Sequence, residues 1–261
     1  MSGLATVNVE LTSRCNKSCH MCGRRKVERD YPEIVKKWGD MDYEMVQSIA
    51  KQIPGGVVVQ FHNNGEPLLY TRFGEAVSLF GHCVRCVDTN GKLIMEKADE
   101  IIGNLDTLTL STFEGDTEAD EQYETFRRFI ELKGSRKPNV IVRTLGEMDE
   151  TRYRELDVMV AHRQLHSPMG SFSYTHTPTI PEIGICLEAL HHLSIQRDGA
   201  VSMCVRFDPH RQGVIGNVKD KSLNEIWNGR IRKYYLQEHI RGNRDRIPLC
   251  ERCEYWGVPK G

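Results

Sequence analysis

The chain has no apolar run approaching the ~20 residues that a membrane-spanning helix requires. Its first residues, Met1 to Val9, lack the hydrophobic region of a secretory signal. It has no excess of charge: 35 basic against 36 acidic residues leave a net −1, so no global field draws it to nucleic acid or an anionic membrane. Solenoid-period repeats and low-complexity tracts are absent too. What remains is 261 residues, enough to bury one good core and an appendage. Cysteine, by contrast, is plentiful, with nine in the chain. The odd count and the chain's size argue against a secreted disulfide scaffold, so a cytoplasmic, reducing location is expected.

Three of the nine cysteines are the most informative. Cys15, Cys19 and Cys22 are spaced C-x3-C-x2-C, just after an alternating apolar run, Val7 to Leu11, that reads as a first strand. Three thiolates hold three irons of a cubane cluster, whereas a structural cluster normally takes four, so one iron stays open to another ligand. A zinc knuckle is the alternative. Zinc sites usually close with a fourth Cys or His at short range, and His20 lies inside the motif. Beyond it, strand signals at Val57 to Phe61, Val84 to Asp88, Thr107 to Leu110, Asn139 to Arg143 and Ser171 to Tyr174 alternate with amphipathic helices. The helices are Asp42 to Ile53, Arg72 to Phe80, Glu96 to Asn104, Glu118 to Leu132 and Thr151 to His162. Such alternation predicts parallel βαβ units.

The cysteine spacing resembles the radical S-adenosylmethionine (radical SAM) superfamily. In that family the amino and carboxylate groups of SAM chelate the open iron, and cleavage yields a 5′-deoxyadenosyl radical. His62-Asn63-Asn64-Gly65-Glu66-Pro67, ending the second strand, resembles the family's GGE motif, with Asn64 in place of the first glycine. There the backbone and the nearby acid bind the SAM ammonium, and Gly65 lets bare backbone approach a ligand. Thr89-Asn90-Gly91 and Ser111 resemble the third and fourth strand tips, which touch the SAM ribose and methionine. The resemblance implies one [4Fe–4S] cluster on Cys15, Cys19 and Cys22. It also implies SAM contacts from Met21, Asn64, Gly65, Glu66, Asn90, Ser111 and Arg143. The implied fold is α/β: a partial (β/α)6 TIM-like barrel over residues 1–168, with residues 169–261 supplying the last barrel strand and a small C-terminal domain. In parallel barrels chemistry sits at the carboxyl ends of the strands, where these motifs fall.

A second cysteine set lies near the C-terminus. Cys186 is followed after twelve residues by Gly199 and after four more by Cys204; 45 residues then separate Cys204 from Cys250, and Cys253 completes a C-x2-C pair. Leu193 to Ile195 and Val201 to Met203 flank Arg197-Asp198-Gly199 as a hairpin, and Ser222 is placed to cap a following helix. This set resembles the SPASM/Twitch extensions of radical SAM enzymes, in the short Twitch form: β-hairpin plus helix, four thiolates and a second [4Fe–4S] cluster. A structural zinc on the same four cysteines is the alternative. Cys83 and Cys86 remain, and the preferred reading is that they are small core residues.

Four cysteines leave no vacant iron, so the second cluster is expected to accept an electron from a substrate radical. The Phe61-His62 and Gly65-to-Leu69 stretch, with the Twitch spacing, is similar to the aminocyclitol dehydrogenase branch of the superfamily. A dehydrogenase-type oxidation of a small polar molecule follows, with His62 and Arg143 as candidate catalytic residues and a flavodoxin- or ferredoxin-type one-electron reductant. Arg143 has a second reading, pairing with the SAM carboxylate through its planar fork, and His62 has one as a brace at the barrel mouth. The alternative function is a radical isomerase or epimerase acting on an amino-acid-modified thymine in hypermodified phage DNA. Its support is local: Arg24-Arg25-Lys26, Arg206 with His210-Arg211, and Arg241 to Arg246 near Tyr255 and Trp256. A peptide-modifying role ranks behind, because the chain opens directly on strand one with no leader-binding domain before it.

Overall fold

The structure is a computed structural model and describes residues 1–163, 165, 185–205, 208–251 and 253. Six strands follow one another in parallel: β1 (Thr6–Val9), β2 (Val58–Gln60), β3 (Val84–Thr89), β4 (Thr107–Phe113), β5 (Asn139–Leu145) and β6 (Met159–Arg163). Three more come from the C-terminal region: β7 (His192–Ile195), β8 (Ala200–Ser202) and β9 (Val214–Asn217). All nine belong to one sheet, in the order β6-β5-β4-β3-β2-β1-β7-β8-β9.

Period-two alternation decides which residues meet the helices and which face the other way. On β1 to β5, Val7, Val9, Val59, Val87, Leu108, Leu110 and Val142 are completely or almost completely buried in the hydrophobic core. The core's outer layer comes from Tyr43–Ala50, whose N-cap Asp42 accepts from the Glu44 N–H, and from Phe73–Ser78, Ala98–Ile101 and Ala119–Lys133. Phe61 and Phe80 meet edge-on with ring centroids 5.1 Å apart. Truncating either fully buried ring removes about 3–5 kcal/mol of packing. Many of the intervening strand positions, among them Asn8, Asp88 and Arg143, are polar, with Val58, Ile141 and Leu145 among the apolar exceptions. The opposite face of the sheet therefore carries polar side chains that can build a site.

The sixth strand differs from expectation. Met159–Arg163 pairs in parallel with β5, inside the stretch read as a helix to His162, and the actual helix is only Thr151–Arg154. Asp157, with φ at 53°, takes a left-handed conformation that an α-helix cannot continue through, and the chain re-emerges extended. The expected strand Ser171 to Tyr174 lies outside the described residues.

The C-terminal hairpin also has a different attachment. β7 runs parallel to β1, with Thr6 opposite His192 and Val9 opposite Ile195, and β8 turns back antiparallel to it. The hairpin therefore extends the barrel sheet. The helix Leu223–Trp227 begins on a complete capping box between Ser222 and Glu225. It docks on the barrel through Leu223 N–H to Gln52 Oε1 (2.8 Å) and Trp227 Nε1–H to the Ser2 carbonyl (3.2 Å). Among the described residues no helix is long and apolar enough to cross a membrane.

Candidate functional site

The loop carrying Cys15, Cys19 and Cys22 leaves β1 and is tied to the other strand tips. Ser13 N–H donates to the Gly39 carbonyl (2.9 Å), and Arg14 forms an ion pair with Asp40 (2.6 Å). Asn90 Nδ2, beyond β3, donates to Asn16 Oδ1 (2.8 Å). Lys17 forms a buried ion pair with Asp116 beyond β4 (2.6 Å), and His20 meets Phe113 edge-on. Arg24, in the helix Arg24–Asp30 that follows the last cysteine, reaches back to the carbonyls of Ser13 (2.5 Å) and Asn64 (2.9 Å) while its guanidinium stacks on Trp38.

Two of the three thiols, Cys19 and Cys22, lie where ionisation without a metal is costly. Burial, with Cys22 and Cys15 adding to it, pushes the Cys19 thiol up to about 12, and burial raises Cys22 as well. Thiols that disfavour one another's charge form a donor set that a cationic cluster satisfies. Among the described residues no three His, Cys, Asp or Glu side chains stand close enough for a single ion. The donor set itself, three thiols on one loop, fits a thiolate-bound cluster.

The second strand tip explains its own glycine. A side chain on Gly65 would start 2.8 Å from the Arg14 carbonyl oxygen and closer still to that of Thr12. The Gly65 backbone packs directly against the cysteine loop, so this close approach by itself requires glycine here. Glu66 is buried with both carboxylate oxygens engaged: Oε1 accepts from Thr89 Oγ1 (2.7 Å) and Leu68 N (3.1 Å), Oε2 from Asn90 N (2.9 Å). Burial raises its pKa, and the three donors oppose that rise. Glu66 thus fastens the tips of β2 and β3 together. Asn90 sits beside Cys15, with Nδ2 3.9 Å from Sγ. The carbonyls of Asn90 and Ser111 both accept from Gln122 Nε2 (2.5 and 3.0 Å), which links the tip of β3 to β4, where Ser111 lies within the strand and not at its end as expected. Met21 is half-buried within the loop.

His62 and Arg143 meet on a third residue that the sequence reading missed. Asp88 Oδ2 pairs with Arg143 Nη1 and faces His62 Nε2 at 3.5 Å. Burial would raise the Asp88 pKa, but His62, Arg143 and a Thr109 hydrogen bond outweigh it and hold the carboxyl below its ordinary value. Desolvation lowers the His62 pKa against the pull of Asp88, so its ring is neutral near pH 7. His62 Nδ1 has no hydrogen-bond partner among the described residues. Asp88 and His62 occupy matched positions two residues beyond the Gln60–Cys86 pair in the β2–β3 register, a signal that strand pairing would have given. Glu10 was missed as well. It is buried, its pKa raised chiefly by burial, and it accepts from Asn64 N (3.2 Å) and Arg197 N (3.1 Å), joining the β2 tip to the β7–β8 turn.

The four C-terminal cysteines converge in part. Burial, then the nearby Cys253 and Cys186, pushes the Cys250 thiol up to about 12. Cys204 lines a cavity of about 420 Å³ together with Glu10, Arg24, Asn64, Arg197 and Asp208. Cys83 lies in the hydrophobic core, its thiol 3.6 Å from the Pro54 carbonyl, and Cys86 is half-buried on β3. Of the basic stretches, Arg241 and Arg246 both reach the Glu238 carboxylate (2.9 and 3.4 Å), and Arg244 donates to the Cys253 carbonyl. Arg25 pairs with Glu28, and Arg211 with Asp198. Arg206, Tyr255 and Trp256 lie outside the described residues.

Residues 186–254 match the SPASM family, an iron–sulfur cluster-binding domain, and this span contains those four cysteines. A tungsten-containing aldehyde ferredoxin oxidoreductase cofactor-modifying protein of Pyrococcus furiosus is 24% identical, over 84% of this chain and 79% of its own length. Three solved structures share the fold. BtrN in complex with AdoMet and 2-DOIA has a TM-score of 0.61 at 18% identity, covering 96% of this chain and 92% of BtrN. SuiB of Streptococcus suis bound to S-adenosylmethionine has a TM-score of 0.66 at 14%, covering 97% and 72%. The third, anSMEcpe with bound AdoMet, has 0.64 at 15%, covering 98% and 89%. The three-cysteine loop thus stands over the strand tips of a fold shared with these AdoMet-bound structures, and the C-terminal region of the chain matches an iron–sulfur cluster-binding domain.

Proposed function

We propose that the chain is a radical SAM dehydrogenase that oxidises a small polar substrate, using two [4Fe–4S] clusters and SAM. Cys15, Cys19 and Cys22 would hold the open cluster, and Cys186, Cys204, Cys250 and Cys253 the closed one. When bound, these groups supply a 5′-deoxyadenosyl radical that takes a hydrogen atom from substrate carbon, becoming 5′-deoxyadenosine, and a one-electron acceptor for the second oxidising equivalent.

The observation that carries the reading is the cavity. It runs from Arg24 and Asn64, beside the N-terminal cysteine loop, to Cys204 of the C-terminal set. Its volume of about 420 Å³ suits a small molecule. Its lining combines carboxylates, guanidiniums and amides with the apolar Val27, Ile34 and Trp38, which suits a molecule carrying hydroxyl or amino groups on a carbon frame.

The chain's own residues divide the remaining work. His62, neutral and with Nδ1 lacking a partner among the described residues, accepts the proton that a two-electron oxidation releases. Asp88 stays ionised and steadies the imidazolium that forms. Arg143 holds Asp88 in place. Glu10 and Arg24 fix the cavity wall where the two cysteine regions meet.

The test is anaerobic turnover with deuterated polyols and amino sugars. Deuterium appearing in 5′-deoxyadenosine, alongside a product two hydrogens lighter, is the expected result. A product isomeric with its substrate would replace the dehydrogenase with an isomerase.

A further inference from the structure

His239 stands between two of the four C-terminal cysteines, and no motif reading singled it out. It lies one residue before the end of the helix Arg230–Ile240 and is completely buried. Its Nδ1 accepts the backbone N–H of Cys186 at 3.4 Å, and its Nε2 lies 3.6 Å from Cys250 Sγ.

Together the two contacts settle the tautomer. A ring nitrogen that accepts an amide N–H carries no proton of its own, so the ring's one proton sits on Nε2, pointing at sulfur. The ring has little freedom to leave. The preceding residue, Glu238, receives Arg241, Asn243 and Arg246, and its carbonyl accepts the Asn243 N–H, which locks the end of the helix. Arg244 then grips the Cys253 carbonyl (3.4 Å), so the same arm that carries His239 also holds the C-x2-C pair.

We propose that His239 is a positioning residue whose Nε2–H donates to the Cys250 sulfur as a thiolate ligand, and that this bond raises the reduction potential of the C-terminal cluster. This rests on the reading that the four cysteines hold an iron–sulfur cluster. Reduction adds one negative charge, shared largely by the sulfurs. A donor aimed at one of them stabilises the reduced state more than the oxidised one. A higher potential is what an electron acceptor for a substrate radical needs. The Cys186 contact serves the same end, since it forces the proton to the sulfur side of the ring.

The experiment is an anaerobic redox titration of the reconstituted full-length chain followed by EPR. Added SAM perturbs the N-terminal cluster's signal and so assigns the two centres. His239→Leu is expected to lower the midpoint potential of the C-terminal centre while leaving the N-terminal one unchanged. His239→Gln keeps an amide donor near the sulfur and should move the potential back toward wild type. An unchanged potential in His239→Leu at full iron content overturns the proposal. If that variant fails to keep its cluster, the wild-type chain grown with 15N-histidine decides. Pulsed EPR of the reduced C-terminal centre should show coupling to labelled histidine nitrogen, and its absence overturns the proposal. A wild-type chain with one iron–sulfur signal and zinc at the C-terminal cysteines would remove the cluster reading itself, and the inference with it.

Discussion

Gly65→Ala tests how closely the second strand tip and the cysteine loop are coupled. The added methyl would begin 2.8 Å from the Arg14 carbonyl oxygen and 2.9 Å from the Thr12 carbonyl carbon, with the Thr12 oxygen nearer still. All three are backbone atoms, so no side chain can swing aside. Restoring ordinary contact requires the loop to move by about 1 Å, at a cost of about 1–3 kcal/mol for overpacking. Shifting reacting groups by about 1 Å can lower a rate about 100-fold, and Thr12 to Arg14 lead directly into Cys15. Gly39→Ala is the control, because its new methyl meets nothing within 4 Å although its backbone contacts the same loop. Both variants would be reconstituted anaerobically and compared for iron content, unfolding midpoint and 5′-deoxyadenosine formation. Gly65→Ala should lose SAM cleavage about 100-fold and Gly39→Ala should not. Equal activity in the two would refute the claim that close packing at Gly65 holds the loop.

Other outcomes follow from the same geometry. The reconstituted chain should carry about eight irons, and replacing Cys15, Cys19 and Cys22 by Ala should leave about half with no SAM cleavage; 5′-deoxyadenosine from that variant would reassign the N-terminal site. His62→Gln and Arg143→Lys, joined through Asp88, should be non-additive in a double-mutant cycle read on product formation, and additive losses would separate their roles. Because burial lowers the His62 pKa, its base form persists below the ordinary imidazole value of about 6.5, so the acid limb of kcat/KM should fall lower than that; Asp88→Asn removes the group that raises it and should move the limb lower still. Glu66→Gln leaves one acceptor oxygen for three donors and should cost about 1–3 kcal/mol in denaturant unfolding; an unchanged midpoint would show that the β2–β3 fastening is immaterial.

The barrel was legible wherever period-two apolar runs were bounded by polar tips. β3, β4 and β5 lie where such runs occur, and the motifs beginning at His62 and Thr89 fall at strand ends, whereas β4 runs on past Ser111 to Phe113 and β5 past Arg143 to Leu145, so those two residues lie within strands and not at their tips. β6 was not legible, since Met159-Val160-Ala161 continues a helix-like pattern and only the left-handed Asp157 interrupts it. The parallel pairing of β7 with β1 is a contact between residues more than 180 positions apart, which no local pattern encodes. In the site, cysteine spacing marked both candidate cluster regions, because chelation by neighbouring residues is local chemistry. Asp88, Glu10 and His239 escaped notice because each acts through a partner on a different element. An isolated acid or imidazole in the sequence says nothing of what it faces.

The attachment of β7 also limits how the molecule can be divided. Cutting away the C-terminal region at Cys186 would strip β1 of its neighbour along Thr6–Val9. A row of unpaired amides and carbonyls between Val7 and Val9 would then lie at a newly made edge, with apolar side chains beside it. Such an edge recruits strands from other molecules. A truncated barrel is therefore expected to precipitate or self-associate rather than persist as a minimal SAM-cleaving unit. Engineering that exchanges the C-terminal region between relatives must carry the first strand with it, so the natural seam for building chimeras runs through the sheet and not between the two cysteine sets.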